Sequence, residues 1–136
     1  MLFKPYHWYP MYKFLKTETR RMWKKPHVTI GKEYPITHKM LYQPEDVVGY
    51  IHIKSIDRFP LGMMTEHDAF NEGGYTLDEY KKVLENITKK TWDNFMVPYV
   101  IKFRFRPSDM IDPNGGTAMV MEYRELYFDH MKSLQM

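Results

Sequence analysis

The sequence predicts an α+β fold, in which strands pack against two to four short helices. Two segments, 47–56 and 97–106, alternate apolar and polar side chains with the period of two that is typical of a half-buried strand. Between them, Thr76 and Glu79 form a capping box, and apolar residues follow at helical spacing. A chain of 136 residues fits one domain with one core.

The N-terminal third is predicted to contain little regular structure. Residues 6–15 can form a short helix that begins near Pro10, because proline fits the first turn of a helix. Residues 22–44 carry several prolines and a glycine, which predicts a loop with short extended pieces at 28–30 and 34–36.

The middle of the chain is predicted to hold a strand and two helices. In the strand 47–56, Ile51 and Ile53 lie on the apolar face. A short helix is capped by Thr65 and stopped by the glycine pair that follows Glu72. The helix after the Thr76 capping box continues through Lys90, with an apolar stripe at Leu77, Tyr80, Val83, Leu84 and Ile87.

The C-terminal part begins with the strand 97–106, in which Pro98 is expected at the start or on a sheet edge. Residues 112–116 are rich in turn formers and predict a turn. Residues 117–124 are interpreted as a further strand, and 125–134 as a short terminal helix.

Composition excludes several classes of site. The chain has no Cys, so a disulfide framework and a thiolate zinc site are impossible. Its six His residues lack metal-ligand spacing and no glycine-rich nucleotide motif is present, so we expect no metal and no cofactor. No apolar run approaches the ~20 residues of a membrane helix, so we expect no membrane contact and a cytoplasmic location.

Positive charge is concentrated in the first third of the chain. Residues 1–40 contain nine Lys or Arg residues and two acidic residues, whereas residues 41–136 contain eleven basic and fifteen acidic residues. This asymmetry favours an anionic partner at that end. A solvated basic surface without a partner is an equally good interpretation of the charge alone.

Two short segments carry candidate chemistry. Residues 16–21 (Lys-Thr-Glu-Thr-Arg-Arg) place an amine, two hydroxyls and two guanidiniums together. If the segment turns, Lys16 can act as the base for the Thr19 hydroxyl, and Arg21 can hold a phosphate or a base edge. Glu72 stands beside two glycines, whose bare backbone lets a ligand approach. A charged loop and a helix-end Glu without a chemical role are the competing interpretations.

The order of these segments resembles an ASCH domain. Lys16-Thr17-x-Thr19-x-Arg21 resembles the KTxTxR signature of that family, and residues 61–73 resemble its helix that ends in Glu-Gly. The likeness covers residues 2–106. It implies a small PUA-like β-barrel over 1–106 with a cleft for RNA or modified nucleosides. It leaves 107–136 as a C-terminal extension packed on the same domain.

The resemblance implies two functions for the cleft. As a binding module it would hold RNA or a modified nucleoside through the residues Arg20, Arg21, Trp23, Lys24 and Lys25. Some ASCH proteins are instead metal-independent amidohydrolases that deacylate acetylcytidine. By that likeness, Lys16 would accept a proton, Thr19 would attack and Glu72 would donate a proton. Whether the chain is an enzyme stays open, with binding preferred. A structural or protein-binding role with a vestigial triad is a third hypothesis.

Overall fold

The computed structural model describes residues 1–108 and 117–135. Within these ranges the chain forms four strands and four α-helices, with three short 3-10 helices at Pro5–His7, Pro44–Asp46 and Leu61–Met63. The strands are β1 (Glu18–Arg21), β2 (Glu33–Ile36), β3 (Gly49–Arg58) and β4 (Tyr99–Pro107). The α-helices are α1 (Trp8–Tyr12), α2 (Glu66–Asn71), α3 (Leu77–Thr88) and α4 (Thr117–Ser133). The predicted α+β class is confirmed.

The strands form one antiparallel sheet in the order β1-β4-β3-β2. The long central pair, β3 and β4, corresponds to the two segments with clear period-two alternation, so both predicted strands are confirmed. A register shift between Ile53 and Ser55 accommodates one extra residue in β3. The edge strands β1 and β2 have four residues each.

The sheet does not close into a barrel within the described residues, which corrects the barrel expectation. One predicted extended piece, 34–36, lies in β2, whereas residues 28–30 form an irregular loop although Val28 is buried. Residues 117–124 are helical and also contribute no strand. With both segments outside the sheet, β1 and β2 remain at its two edges, and four strands are too few to curl round and close.

The predicted helix starts are confirmed by their caps. The Thr65 hydroxyl accepts a hydrogen bond from the Asp68 amide at 3.1 Å, and the Thr76 hydroxyl accepts one from the Glu79 amide at 3.2 Å. The helix α3 ends at Thr88, two residues before the predicted end, because Lys89 adopts a left-handed conformation with φ 58°. Similarly, α1 begins at Trp8 rather than near Pro10, directly after the 3-10 turn.

The core consists of two clusters. The larger covers one face of the sheet and includes Phe3, Met11, Ile51, Ile53, Ile101 and Phe103. The smaller lies where the helices meet and includes Leu61, Ala69, Tyr75, Tyr80, Val83, Leu84 and Leu134. The candidate site described below lies between these clusters, because its wall contains Phe3 from one and Val83 and Leu84 from the other.

The helix α4 replaces the strand predicted for 117–124 and includes most of the predicted terminal helix. Tyr123 and Tyr127 are buried, and their separation of four residues places them on one face of the helix, while Leu134 just after its end is also buried. Tyr123 packs edge-on against Trp8 with 4.8 Å between the ring centroids. Packing of one helical face therefore overrides the strand propensity of individual residues in 117–124, which had suggested a strand. The turn predicted at 112–116 lies outside the described residues.

The side chains of α4 contact the segment that follows Glu72. The Tyr127 hydroxyl donates a hydrogen bond to the Gly73 carbonyl at 2.8 Å, and a 2.7 Å hydrogen bond joins the Tyr75 hydroxyl to His130 Nε2. Gly74 has φ 85°, a conformation that favours glycine, and a Cβ there would lie 2.7 Å from the Tyr127 hydroxyl and displace it. The last helix therefore positions the loop that carries the acidic residue.

Stability should fall as the pH drops below 6.5 because of His130. Burial lowers the pKa of His130 to about 4, against about 6.5 in an unfolded chain. Between these values the unfolded state binds more protons, so the free energy of unfolding decreases as the pH falls through this window. We expect His130 to contribute about 2 kcal/mol of this loss after allowance for its partial exposure.

Urea titrations at pH 7 and pH 4.5 measure this loss, with His130→Asn as the comparison. The variant removes the titrating ring and should lose less stability between the two pH values than the wild type. Equal losses in the two proteins would show that His130 does not titrate differently in the folded state.

Candidate functional site

The two residues just before β1 lie against the end of α2. Lys16 and Glu72, 56 residues apart, form an antiparallel β-bridge, and the Thr17 amide donates a hydrogen bond to the Asn71 carbonyl at 2.8 Å. Glu72 caps the C-terminus of α2, and Gly73 with φ 147° then turns the chain away. Backbone pairing therefore brings together the two segments that the sequence singled out separately.

The Lys16 ammonium group is enclosed by oxygen atoms. Its Nζ donates to the Glu72 carbonyl at 2.8 Å, the Glu18 carbonyl at 3.2 Å and Glu72 Oε1 at 3.4 Å. Both side chains of the ion pair are almost fully buried, at 2% and 3% exposure. Burial lowers the pKa of Lys16, while the nearby Glu72 carboxylate opposes that shift. Within residues 1–108 and 117–135, Lys16 makes no hydrogen bond to Thr19.

Arg20 completes a buried charge network. Its Nη1 donates to Glu72 Oε2 at 2.8 Å and to Glu18 Oε2 at 3.2 Å, and its Nη2 lies 3.9 Å from Asp68 Oδ2. The two oxygens of the Glu72 carboxylate thus have different partners, Lys16 at Oε1 and Arg20 at Oε2. Arg20 lines the cavity, but two carboxylates already balance its charge.

Arg21 has a different environment. Its Nε donates to the Thr19 hydroxyl at 3.3 Å and its Nη2 donates to the Leu2 carbonyl at 2.8 Å. The guanidinium lies 4.5 Å from the centroid of the Phe3 ring. Within the described part of the chain, no carboxylate forms an ion pair with Arg21, whose pKa is lowered by burial. Its charge is therefore available to an oxygen-rich ligand.

These side chains line one cavity of about 400 Å³. Its polar wall is formed by Lys4, His7, Lys16, Thr19, Arg20, Arg21, His38, Glu72 and Tyr80. Its apolar wall is formed by Leu2, Phe3, Pro5, Val83, Leu84 and Ile87. The volume falls in the range of small-molecule sites, and so does the combination of an apolar wall with a few polar groups.

Two further polar residues of this wall are uncharged. Burial, followed by the charge of Glu72, raises the pKa of Tyr80 well above its usual value, so its hydroxyl stays protonated beside that carboxylate. His7 is buried, and both desolvation and the Lys16 charge lower its pKa well below 6.5. Its Nδ1 has no hydrogen-bond partner among the residues that the structure describes.

Three sequence-predicted binding residues lie elsewhere. Trp23 is half-buried against the larger core cluster, with its ring 6.0 Å from the Arg21 guanidinium, and does not line the cavity. Lys24 and Lys25 are exposed in the turn after β1 and do not line it either. The structure thus brings together Lys16, Thr19, Arg20, Arg21 and Glu72, and leaves the basic loop outside.

Several wall residues were missed by sequence reasoning. Tyr80, Val83, Leu84 and Ile87 form the helical stripe that was assigned to the core, and one side of that stripe borders the cavity. Helical spacing identifies the buried face of α3, but it does not distinguish a packed face from a cavity wall. Phe3 and His7 carried no motif that would have marked them.

Neither a metal cluster nor a membrane span is found in the described ranges. Residues 1–108 and 117–135 contain no group of three His, Asp or Glu side chains placed to hold a metal ion. Across the same residues, no helix combines the length and the apolar character needed to cross a bilayer.

Comparison with known proteins identifies the fold. No family model matches the chain, and no curated protein matches it. Among solved structures, the crystal structure of an ASCH domain from Lactobacillus crispatus JV V101 superposes with a TM-score of 0.61. The match covers 77% of this chain and 76% of that chain, at 12% sequence identity. The chain therefore has an ASCH-type fold, as the order of its motifs implied, and at this identity the likeness concerns the fold alone.

Proposed function

We propose that the cavity binds one nucleoside-sized ligand, a modified nucleoside that is either free or part of an RNA strand. The observation that supports this most directly is the convergence of Lys16, Thr19, Arg21 and Glu72 on a single cavity of about 400 Å³. A cavity of this size accommodates one base with its sugar and is too small for a double helix. A base within RNA would have to be turned out of its stack to enter.

The wall chemistry suits a polar heterocycle. Apolar contact is available from Phe3, Val83 and Leu84, and a ring between them would be held by its faces. Hydrogen-bond donors and acceptors line the same cavity, where the Lys16 and Glu72 groups are already fixed by their partners. Groups held rigidly before binding lose little entropy on binding, which favours specific recognition.

Arg21 is the group we assign to the ligand's oxygen atoms. It is a cation at this cavity without a carboxylate partner in the described ranges, and its planar fork suits a carbonyl or acyl oxygen. The charge of Arg20 is balanced by its ion pairs with Glu18 and Glu72, so we assign it a structural role in the cavity wall. Binding would then depend on Arg21 more than on the basic loop at Lys24 and Lys25.

Isothermal titration calorimetry with N4-acetylcytidine and cytidine tests this proposal. We expect saturable binding by the wild type and a loss of about 10- to 100-fold in affinity for Arg21→Gln, since a charge-assisted hydrogen bond contributes about 1.5–3 kcal/mol. Lys24→Gln is the matched control, because Lys24 is exposed and does not line the cavity. Equal weakening by both substitutions, or absence of binding by the folded wild type, would refute the cavity assignment.

A second candidate function is hydrolysis of an acylated cytosine nucleoside, and one observation favours it. Lys16 Nζ lies 3.4 Å from Glu72 Oε1, both groups are buried, and Thr19 lines the same cavity. In this reaction the Thr19 hydroxyl would attack the acyl carbon and pass its proton to a neutral Lys16. The carbon–nitrogen bond would break, the exocyclic nitrogen would take a proton by way of Glu72, and water would release the acyl group from Thr19.

A further inference from the structure

A second groove lies on the other side of Lys16. It has a volume of about 270 Å³, and Lys16 is the residue that it shares with the first cavity. Its remaining wall consists of Phe14, Thr17, Glu18, Lys54, Asn71, Lys102, Phe103, Arg104 and Phe105. None of the residues assigned above to ligand binding or catalysis, apart from Lys16, belongs to this groove.

The groove is bordered by three exposed cations. Lys102 and Arg104 are two residues apart on β4 and therefore project from the same face of the sheet. Lys54 joins them from the register shift of β3, where Ser55 pairs with Lys102. Within residues 1–108 and 117–135, none of the three forms an ion pair, whereas the neighbouring Arg106 pairs with Glu33 at 3.0 Å.

One acidic side chain also faces the groove, and it is already compensated. Glu18 is buried and accepts a hydrogen bond from Arg20 at 3.2 Å. Burial raises the pKa of Glu18, and the charge of Arg20 opposes that shift. The uncompensated charge at the groove is therefore positive, and complementary to an anion.

Phe14 adds a flat apolar surface at the same groove. Its side chain is 66% exposed, and its φ of 56° lies in the left-handed region that favours glycine. An exposed aromatic residue at such a position gains little from burial and strains the backbone. Contact with a binding partner would explain the presence of a large aromatic side chain at position 14.

We propose that this groove binds a single-stranded polynucleotide segment, with a base stacked on Phe14 and backbone phosphates held by Lys54, Lys102 and Arg104. An aromatic platform beside a row of cations is the arrangement by which proteins bind single strands without reading sequence. The inference deepens the proposed function, since a strand in the groove would lie next to the cavity, with which the groove shares Lys16. It also stands without it, because none of its contacts uses the cavity ligand.

Fluorescence anisotropy with a labelled RNA of about 10 nucleotides tests the groove. We expect Phe14→Gly to weaken binding about 10-fold, because stacking of one base is lost. The same substitution relieves the left-handed backbone and should not lower thermal stability, so weaker binding cannot be attributed to unfolding. Lys102→Glu combined with Arg104→Glu should weaken binding more and flatten its dependence on salt.

Two exposed residues outside both cavities provide the controls, Phe95→Ala for the ring and Lys90→Glu for the charge. RNA affinity unchanged in Phe14→Gly, or reduced equally by the controls, would overturn the proposal. Polyglutamate carries negative charge but no bases. If it displaced the labelled RNA as well as unlabelled RNA does, the proposal would also be overturned. Calorimetry with N4-acetylcytidine on Phe14→Gly separates the two sites, because cavity binding should persist whether or not RNA binding does.

Discussion

Replacement of Glu72 by Ala is expected to destabilise the fold by about 3–5 kcal/mol. The substitution leaves two buried cations without their shared carboxylate, since the Lys16 and Arg20 side chains are only 2% and 5% exposed. Removal of one partner from a buried ion pair costs this much because the remaining charge keeps its desolvation penalty. Chemical denaturation monitored by circular dichroism measures the effect.

Glu33→Ala is the matched control for Glu72→Ala. Glu33 also pairs with an arginine, Arg106, but both side chains are largely exposed, so the denaturation midpoint should change little. A double variant with Lys16→Met and Glu72→Leu should recover much of the lost stability, because Arg20 keeps Glu18 as its partner and no unmatched charge remains buried. A Glu72→Ala protein as stable as the wild type would show that the network does not form in solution.

The network explains why local patterns located the site only in part. Lys16, Thr19 and Glu72 were found because their order along the chain resembles that of ASCH domains. Nothing in the sequence indicated that Arg20 would be neutralised by Glu18 and Glu72 while Arg21 would not. Adjacent residues on a strand point to opposite sides, and the partner of each side is set by tertiary packing. Charge counts therefore overstated the number of free cations.

The same reasoning applies to the elements of the fold. The central strands and the capped helices were predictable, because their signals lie within about ten neighbouring residues. Barrel closure could not be predicted in this way, because it depends on pairing between strands that are distant in the sequence. Residues 28–30 and 117–124, which were expected to be extended, do not supply strands. The hydrogen bonds of α4 to Gly73 and Tyr75 likewise join residues 54 and 55 positions apart, so no local pattern could indicate them.

The amidohydrolase candidate makes the other large-effect prediction. If the cavity deacylates N4-acetylcytidine, chromatography of the reaction should show cytidine accumulating with time, and Thr19→Val should lower kcat by about 10³-fold. Valine preserves the shape of the side chain and removes only the attacking hydroxyl. Thr19→Ser keeps that hydroxyl and should retain measurable activity. Hydrolysis that is equally fast in Thr19→Val would exclude the proposed nucleophile.

Lys16→Arg separates the charge of Lys16 from its role as a base. Arginine keeps a cation beside Glu72, but the very high pKa of its guanidinium prevents it from accepting a proton, so activity should be lost while calorimetry still detects the nucleoside. In the wild type, burial lowers the pKa of Lys16, and the neutral amine is the reactive form. The rate should therefore rise with pH until that lowered pKa is passed, and a rate independent of pH would rule Lys16 out as the base. Binding without any hydrolysis by the wild type would leave the cavity as a recognition site in which Lys16 and Glu72 fix the ligand's orientation.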